Sequence, residues 1–205
     1  KDDYNWFSNK DFLNMFTKQY ESKILEVAKT NKVPKYNVIL AEDCKSCSNW
    51  RQKLFEKYKE TRKNQREKKG FDGKDIFNYC YTKLFKIMVK NQGFKLFSHK
   101  EIEADDIVGI CVQYMQKKHP NNKLLILSKD HDYLQVMNEN TKLIDFNSKQ
   151  VNTTNDGNYS LYYKILIGDK SDDIPPVKIK RKYVKPNANS RLEEYINMPK
   201  DKADE

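Results

Sequence analysis

Histidine and cysteine are scarce, at three and four among 205 residues. Only Cys44 and Cys47 form a C-x-x-C, no second pair follows, and His99, His119 and His131 stand at no zinc-finger spacing from them. This pattern argues against a zinc site, and nothing else in the chain supports a thioredoxin-like role. Cys111 falls on the apolar stripe of a helix and reads as core, with Cys80 on another apolar face. No apolar run is long enough to span a bilayer and no signal peptide opens the chain, so the sequence reads as soluble and intracellular, with reduced thiols. The sequon at Asn152-Thr153-Thr154 then carries no meaning. Repeats and low-complexity tracts are absent as well.

What is present is charge and aromatic surface. Lys and Arg number 39 against 29 Asp and Glu, a net charge of +10, while 13 Tyr and 10 Phe supply core material despite a mean hydropathy of −0.94. The length fits one domain, or one with a small appendage. A basic chain whose acids are clustered suits a binder of phosphate backbones that also holds a metal.

Taken in order, Phe12, Met15, Phe16, Tyr20, Ile24 and Val27 recur at helical spacing and predict a helix over about Asp11–Lys29. Asn37 to Ala41 reads as a strand running into Glu42 and Asp43. Trp50 to Lys69 reads as one basic helix, in which Lys59, Arg62, Lys63 and Arg66 share a face beside Tyr58. Gly70 to Gly73 breaks it. A further helix runs from Asp75 towards Gly93, and Phe94 to Phe97 is a short strand. Tyr133 to Met137 reads as a short helix, Lys142 to Asp145 as an edge strand, and Ser148 to Asn158 as a polar loop. The alternation of strands and helices predicts an α/β fold, a mostly parallel central sheet with helices on both faces.

The acids fall at the ends of these elements. Glu103, Asp105 and Asp106 stand at the mouth of an amphipathic helix that continues through Ile107, Val108, Cys111, Val112 and Met115. Leu124 to Leu127 reads as a strand buried on both faces, and Asp130 and Asp132 follow its end. Asp43 occupies the same kind of position, where a lone Asp also serves as a turn former or helix cap. Tyr159 to Ile167 is an apolar helix ended by Gly168, and Asp169, Asp172 and Asp173 follow. Acids at a helix C-terminus are electrostatically unfavourable, so a bound cation is the candidate that holds them there.

The series Tyr58-Lys59-x-x-Arg62, Glu103-Ala104-Asp105-Asp106, Ser128-Lys129-Asp130-His131-Asp132-Tyr133-Leu134-Gln135 and Gly168-Asp169-Lys170-Ser171-Asp172-Asp173-Ile174-Pro175 resembles the structure-specific 5′-nucleases. These are the flap endonucleases and 5′-3′ exonucleases, and with Asp43 and Trp50-Arg51 the spacing is most similar to the T-even phage ribonuclease H type. The similarity runs from about Val38 to Val177. It implies a resolvase-like, PIN-like fold with a helical arch over about residues 50–75 and a C-terminal helical region. It implies two Mg²⁺ ions, with Mn²⁺ as a substitute: Asp43, Glu103 and Asp105 in the tighter site, Asp130, Asp132, Asp169 and Asp172 in the second, and Asp106 nearby. Lys59 and Arg62 become the catalytic cations at the scissile phosphate. Beside such a site the basic face read from helical spacing, Lys63 and Arg66 with Tyr58 and Arg51, becomes a surface for a nucleic-acid backbone, where alone it reads as a solvated, salt-bridged helix face.

The implied activity is hydrolysis of phosphodiesters near the 5′ end of DNA or RNA:DNA in replication or repair. Implied partners are 5′ flaps, nicks and RNA:DNA primers, a sliding clamp or single-strand-binding protein, and no membrane, for a monomeric enzyme. The catalytic domain is expected over residues 1–177. Its first strand, which in the family ends in an Asp ligand, is expected to lie upstream of Lys1. Residues 178–205 are read as a basic segment related to the helix-hairpin region, although Val177 to Lys182 has no Gly. Two alternatives stay open from the residues alone: a binding-only module of the same fold, and a phosphohydrolase that forms an aspartyl-phosphate at Asp130-x-Asp132.

Overall fold

A computed structural model describes residues 6–44, 49–69, 74–151 and 157–176. Helix α1 spans Lys10–Thr30, within a residue of the expected limits. Asn9 starts it by accepting the backbone N–H groups of Asp11 at 2.9 Å and Phe12 at 3.1 Å, which satisfies donors that have no partner inside the first turn. Then come β1 (Ile39–Glu42), α2 (Trp50–Leu54), α3 (Glu60–Lys69), α4 (Lys74–Tyr79), a π-helical turn (Cys80–Leu84) and α5 (Phe85–Gln92). The chain continues through β2 (Lys95–Ser98), α6 (Ala104–Lys118), β3 (Leu124–Leu127), a 3₁₀ turn (His131–Val136), β4 (Thr141–Ile144) and α7 (Gly157–Ile167).

Both strand pairs are parallel, as the alternation of elements predicts. β1 pairs with β2, setting Leu40 opposite Leu96, and β3 pairs with β4, setting Ile126 opposite Leu143. Parallel strands need a crossover, which α2 to α5 supply for the first pair. Among the described residues the two pairs are separate sheets and not one continuous sheet. Packing joins them instead: Leu127 at the end of β3 lies against the cluster of Ile24, Leu40, Leu84, Phe85, Met88 and Phe94. Leu84 and Met88 are fully buried, each worth about 1.5–3 kcal/mol of transfer free energy. A second cluster unites Val112 of α6 with Ile126, Tyr133 and Leu143. Within β3 only Ile126 is buried and its neighbours are half-buried, so the strand is less enclosed than its apolar run suggests. Among the described residues no helix is long and apolar enough to cross a membrane.

The largest departure from the expected elements lies between Trp50 and Lys69. One basic helix is expected there, but the chain leaves helical geometry at Phe55 and re-enters it at Glu60, and Lys59 sits at φ 59°. Tertiary contacts override helical propensity. The Tyr58 side chain is drawn into the interior, 5% exposed, and the Lys59 N–H donates to Asp172 O at 3.2 Å. Lys59 therefore does not share a helix face with Arg62, Lys63 and Arg66. The side chains of Lys63 and Arg66 lie outside the described ones, as do the expected break at residues 70–73, Cys47, the chain before Trp6, and the segment 177–205.

A Gly holds the acidic turn after α7. Gly168 has φ 76°, and a Cβ placed there would stand 2.4 Å from Ile174 O and 2.6 Å from Pro175 C and Pro176 N. All three are backbone atoms and cannot swing aside. Gly168→Ala is therefore expected to destabilise the protein by more than about 1 kcal/mol, read as a lower melting temperature. An unchanged melting temperature would show that the turn yields.

Candidate active site

Asp43 leaves the end of β1 and reaches the start of α6. One carboxylate oxygen accepts the Ala104 N–H at 2.7 Å and the other accepts the Tyr81 hydroxyl at 3.1 Å. The first bond satisfies one of the N-terminal donors of α6, so Asp43 caps that helix from another element. Glu103 is the residue immediately before α6, and Asp106 in the first turn accepts the Glu103 N–H at 3.1 Å. Asp105 and Asp106 thus stand where the helix dipole favours negative charge.

The chain's own cations meet these acids. Arg51 grips Asp106 with both terminal nitrogens, at 2.6 and 2.7 Å, and Trp50 adds an indole N–H at 3.3 Å. Partial burial opposes ionisation of Asp106, but the Arg51 fork overcomes it and holds the carboxyl below its ordinary range. Lys59 Nζ donates to Glu103 at 2.7 Å, and the Tyr58 hydroxyl donates to the other Glu103 oxygen at 2.9 Å. Tyr58, expected to bind nucleic acid, thus faces the acids from below.

Asp105 is treated differently. No cation pairs with it among the contacts described; the Tyr133 hydroxyl donates to it at 2.6 Å. Desolvation of the carboxyl raises its pKa, and the charges of Asp130, Asp43 and Glu103 raise it further, against the lowering effect of the Tyr133 bond. Those charges report that Asp130, beyond β3, shares a field with the acids of α6. Asp130 itself caps the 3₁₀ turn, accepting the Asp132 N–H at 2.9 Å.

The third group surrounds the turn after α7. Lys164 bridges Asp132 and Asp169, with 2.9 Å to the latter. Desolvation works against the Asp169 charge, but bonds from Ser171 and Lys164 hold its carboxyl well below the usual range. Asp172 is ion-paired with Arg62 at 3.1 Å, and desolvation raises its pKa although Lys59 and Arg62 oppose the shift. This turn is also fastened to the start of α3. The Thr61 N–H and hydroxyl both donate to Asp173, the former at 2.8 Å, beside the Lys59 N–H bond to Asp172.

The structure therefore places Asp43, Glu103, Asp105 and Asp106 around the mouth of α6, with Asp130 near enough to act on Asp105. It places Asp132, Asp169 and Asp172 with Lys164 and Arg62. Among the described residues no three acid, His or Cys side chains converge on one point as a finished metal site. The donor set is nonetheless that of a hard divalent cation: carboxylates only, mutually repelling, and now paired with Lys, Arg and Tyr. The residues fit such an ion once Lys59, Arg51 and Lys164 release them. Sequence reasoning missed Lys164, Tyr81, Tyr133 and the Thr61–Asp173 link. The position of Thr61 between Lys59 and Arg62 was an available signal. Lys164, an isolated cation in an apolar helix one turn before Gly168, was another.

The family model for the 5′-3′ exonuclease, N-terminal resolvase-like domain, matches residues 9–162. The chain belongs to this family. Among curated 5′-nuclease relatives, the 5′-3′ exonuclease of Buchnera aphidicola subsp. Schizaphis graminum is 28% identical over 179 residues, 82% of this chain and 53% of that protein. The 5′-3′ exonuclease of Buchnera aphidicola subsp. Acyrthosiphon pisum is 31% identical over 136 residues, 62% of this chain and 44% of that protein. The chain thus spans about half the length of the curated relatives it matches.

The fold is that of solved T5 5′-nucleases. The T5 5′-exonuclease with bound zinc superposes with a TM-score of 0.68 at 20% identity, over 87% of this chain and 65% of that one. The T5 flap endonuclease in a pseudo-enzyme–product complex with DNA and metal ions gives 0.66 at 20% identity, over 87% and 65%. The expected resolvase-like α/β fold is therefore the observed one.

Proposed function

We propose that this chain carries the catalytic domain of a divalent-metal-dependent 5′-3′ exonuclease or flap endonuclease. The observation that carries the reading is the juxtaposition of Asp43, Glu103 and Asp105 at the mouth of α6, sharing a field with Asp130, in a chain of the 5′-3′ exonuclease family. Asp43, Glu103 and Asp105 would hold one Mg²⁺, with Asp106 beside it. Asp130, Asp132, Asp169 and Asp172 would hold a second. Bound Mg²⁺ would lower the pKa of an attacking water and neutralise the charge gathering on the phosphate.

The remaining work falls to the chain itself. Lys59 and Arg62, freed from Glu103 and Asp172, would contact the scissile phosphate and stabilise its developing charge. Arg51, Lys63 and Arg66 would bind the nucleic-acid backbone, with Tyr58 supporting from beneath. Fastening α3 to the turn at Asp172 and Asp173 ties the phosphate-binding cations to the carboxylates, so both arrive at one bond together. The region around residues 50–75 corresponds to the arch, and the substrate class is DNA or RNA:DNA bearing a 5′ flap or nick, in replication or repair.

Incubating the full-length protein with a 5′-labelled flap duplex and Mg²⁺ is expected to release short labelled products, and EDTA to stop the reaction. Salt-sensitive binding without any product would instead support the binding-only module.

A further inference from the structure

Three tyrosyl hydroxyls each donate to a different acid of the α6 group: Tyr58 to Glu103, Tyr81 to Asp43 and Tyr133 to Asp105. Tyr58 belongs to the motif already described. Tyr133 lies within the Ser128 to Gln135 series but has no role assigned to it there, Tyr81 lies in none of the series, and both are held by irregular backbone. Tyr81 sits in the π-helical turn Cys80–Leu84, its ring stacked on Phe77 with centroids 6.2 Å apart and tilted against Phe85 at 5.8 Å. Single π turns inside α-helices re-aim a side chain by one extra residue per turn. Here the side chain so placed reaches Asp43. Tyr133 lies in the 3₁₀ turn capped by Asp130, its ring buried among Val112, Ile126 and Leu143. Each ring is fixed in apolar packing and only its hydroxyl end meets an acid.

These donors differ in kind from the lysines and arginines nearby. An ammonium or guanidinium on a carboxylate competes with a divalent cation and must leave before the ion binds. A neutral hydroxyl does not compete. It occupies one lone pair of one oxygen, leaves other lone pairs for a metal, and fixes the plane of the carboxylate. Such outer donors orient metal ligands, and their loss typically costs about 10–100-fold in metal affinity.

We propose that Tyr81 and Tyr133 are positioning residues for the cation site, orienting Asp43 and Asp105 through neutral hydrogen bonds that persist when the metal is bound. This inference rests on the reading of those acids as metal ligands. The test compares full-length wild type with Tyr81→Phe and Tyr133→Phe, measuring Mn²⁺ uptake by calorimetry and the Mg²⁺ dependence of flap cleavage. Each variant is expected to weaken Mn²⁺ binding on the order of 10-fold and to raise the Mg²⁺ needed for half-maximal cleavage to match. The rate at saturating metal should be largely retained. A merely structural role would lower the melting temperature and leave metal dependence unchanged, which overturns the inference while leaving the nuclease reading intact. Wild type that takes up no Mn²⁺ overturns both. Should Tyr133→Phe fail to fold, Tyr81→Phe, whose site lies outside the Val112–Leu143 cluster, decides the matter alone.

Discussion

Asp105→Asn is expected to cut Mg²⁺-dependent cleavage by about 10³-fold or more while raising the melting temperature of the metal-free protein at neutral pH. On the proposed reading of Asp105 as a metal ligand, the activity loss follows from removing a charged donor, since metal stabilisation of a phosphoryl transition state is worth several kcal/mol and each 1.36 kcal/mol is tenfold. The gain in stability follows from the sign of the pKa shift. Desolvation and the neighbouring Asp130, Asp43 and Glu103 raise the Asp105 pKa, so the folded state holds the proton more tightly than the unfolded one. The metal-free fold is then destabilised as pH rises from the ordinary Asp range, about 3.9, through the raised value. Asn removes that cost and still accepts the Tyr133 hydroxyl. Thermal melts of both proteins in EDTA at acidic and neutral pH check this: the difference should open as pH rises. Equal melting curves at every pH would mean that Asp105 lies in no repulsive field.

Lys59→Ala is expected to lower kcat by about 10²-fold with a smaller change in KM, because a fixed cation aimed at developing charge acts chiefly in the transition state. This variant isolates the ammonium. The link between α3 and the acidic turn uses the Lys59 backbone N–H, which Ala retains, and the φ of 59° is no easier for Ala than for Lys. Arg62→Ala removes a guanidinium that already pairs with Asp172, so loss of both cations should exceed either alone. Single-turnover cleavage of a flap duplex at saturating Mg²⁺ separates these effects from binding. An unchanged kcat for Lys59→Ala would remove Lys59 from the chemistry.

Where the sequence was legible, it was legible through periodicity and acids at element ends. Helix α1 is an uninterrupted apolar stripe with an Asn at each border, and both borders are found where expected. β1 and β3 are short apolar runs ending in acids, and those acids lie at one end of the fold. The break at Phe55 to Lys59 was not legible. Its causes are non-local: Tyr58 buried against Glu103, and the Lys59 N–H bound to Asp172, more than a hundred positions away in the sequence. The π-helical turn was hidden for a similar reason, since helical spacing through Tyr79, Leu84 and Met88 absorbs one extra residue without a visible fault. The Lys164 bridge was hidden because charge patterning ranks a lone Lys among apolar neighbours as solvated. Only the turn at Gly168, which folds Asp169 back toward the last turn of α7, brings the acid to the amine.

That bridge also offers the most direct test of the central claim, that the chain's own cations now occupy carboxylates meant for divalent ions. The measurement is an anomalous difference map from crystals of the full-length protein soaked in Mn²⁺. The account predicts one Mn²⁺ peak among Asp43, Glu103 and Asp105 and another among Asp130, Asp132, Asp169 and Asp172, with the Lys164 ammonium displaced from between Asp132 and Asp169. Crystals without a peak at either place, and with Lys164 still bridging the two carboxylates, would contradict it.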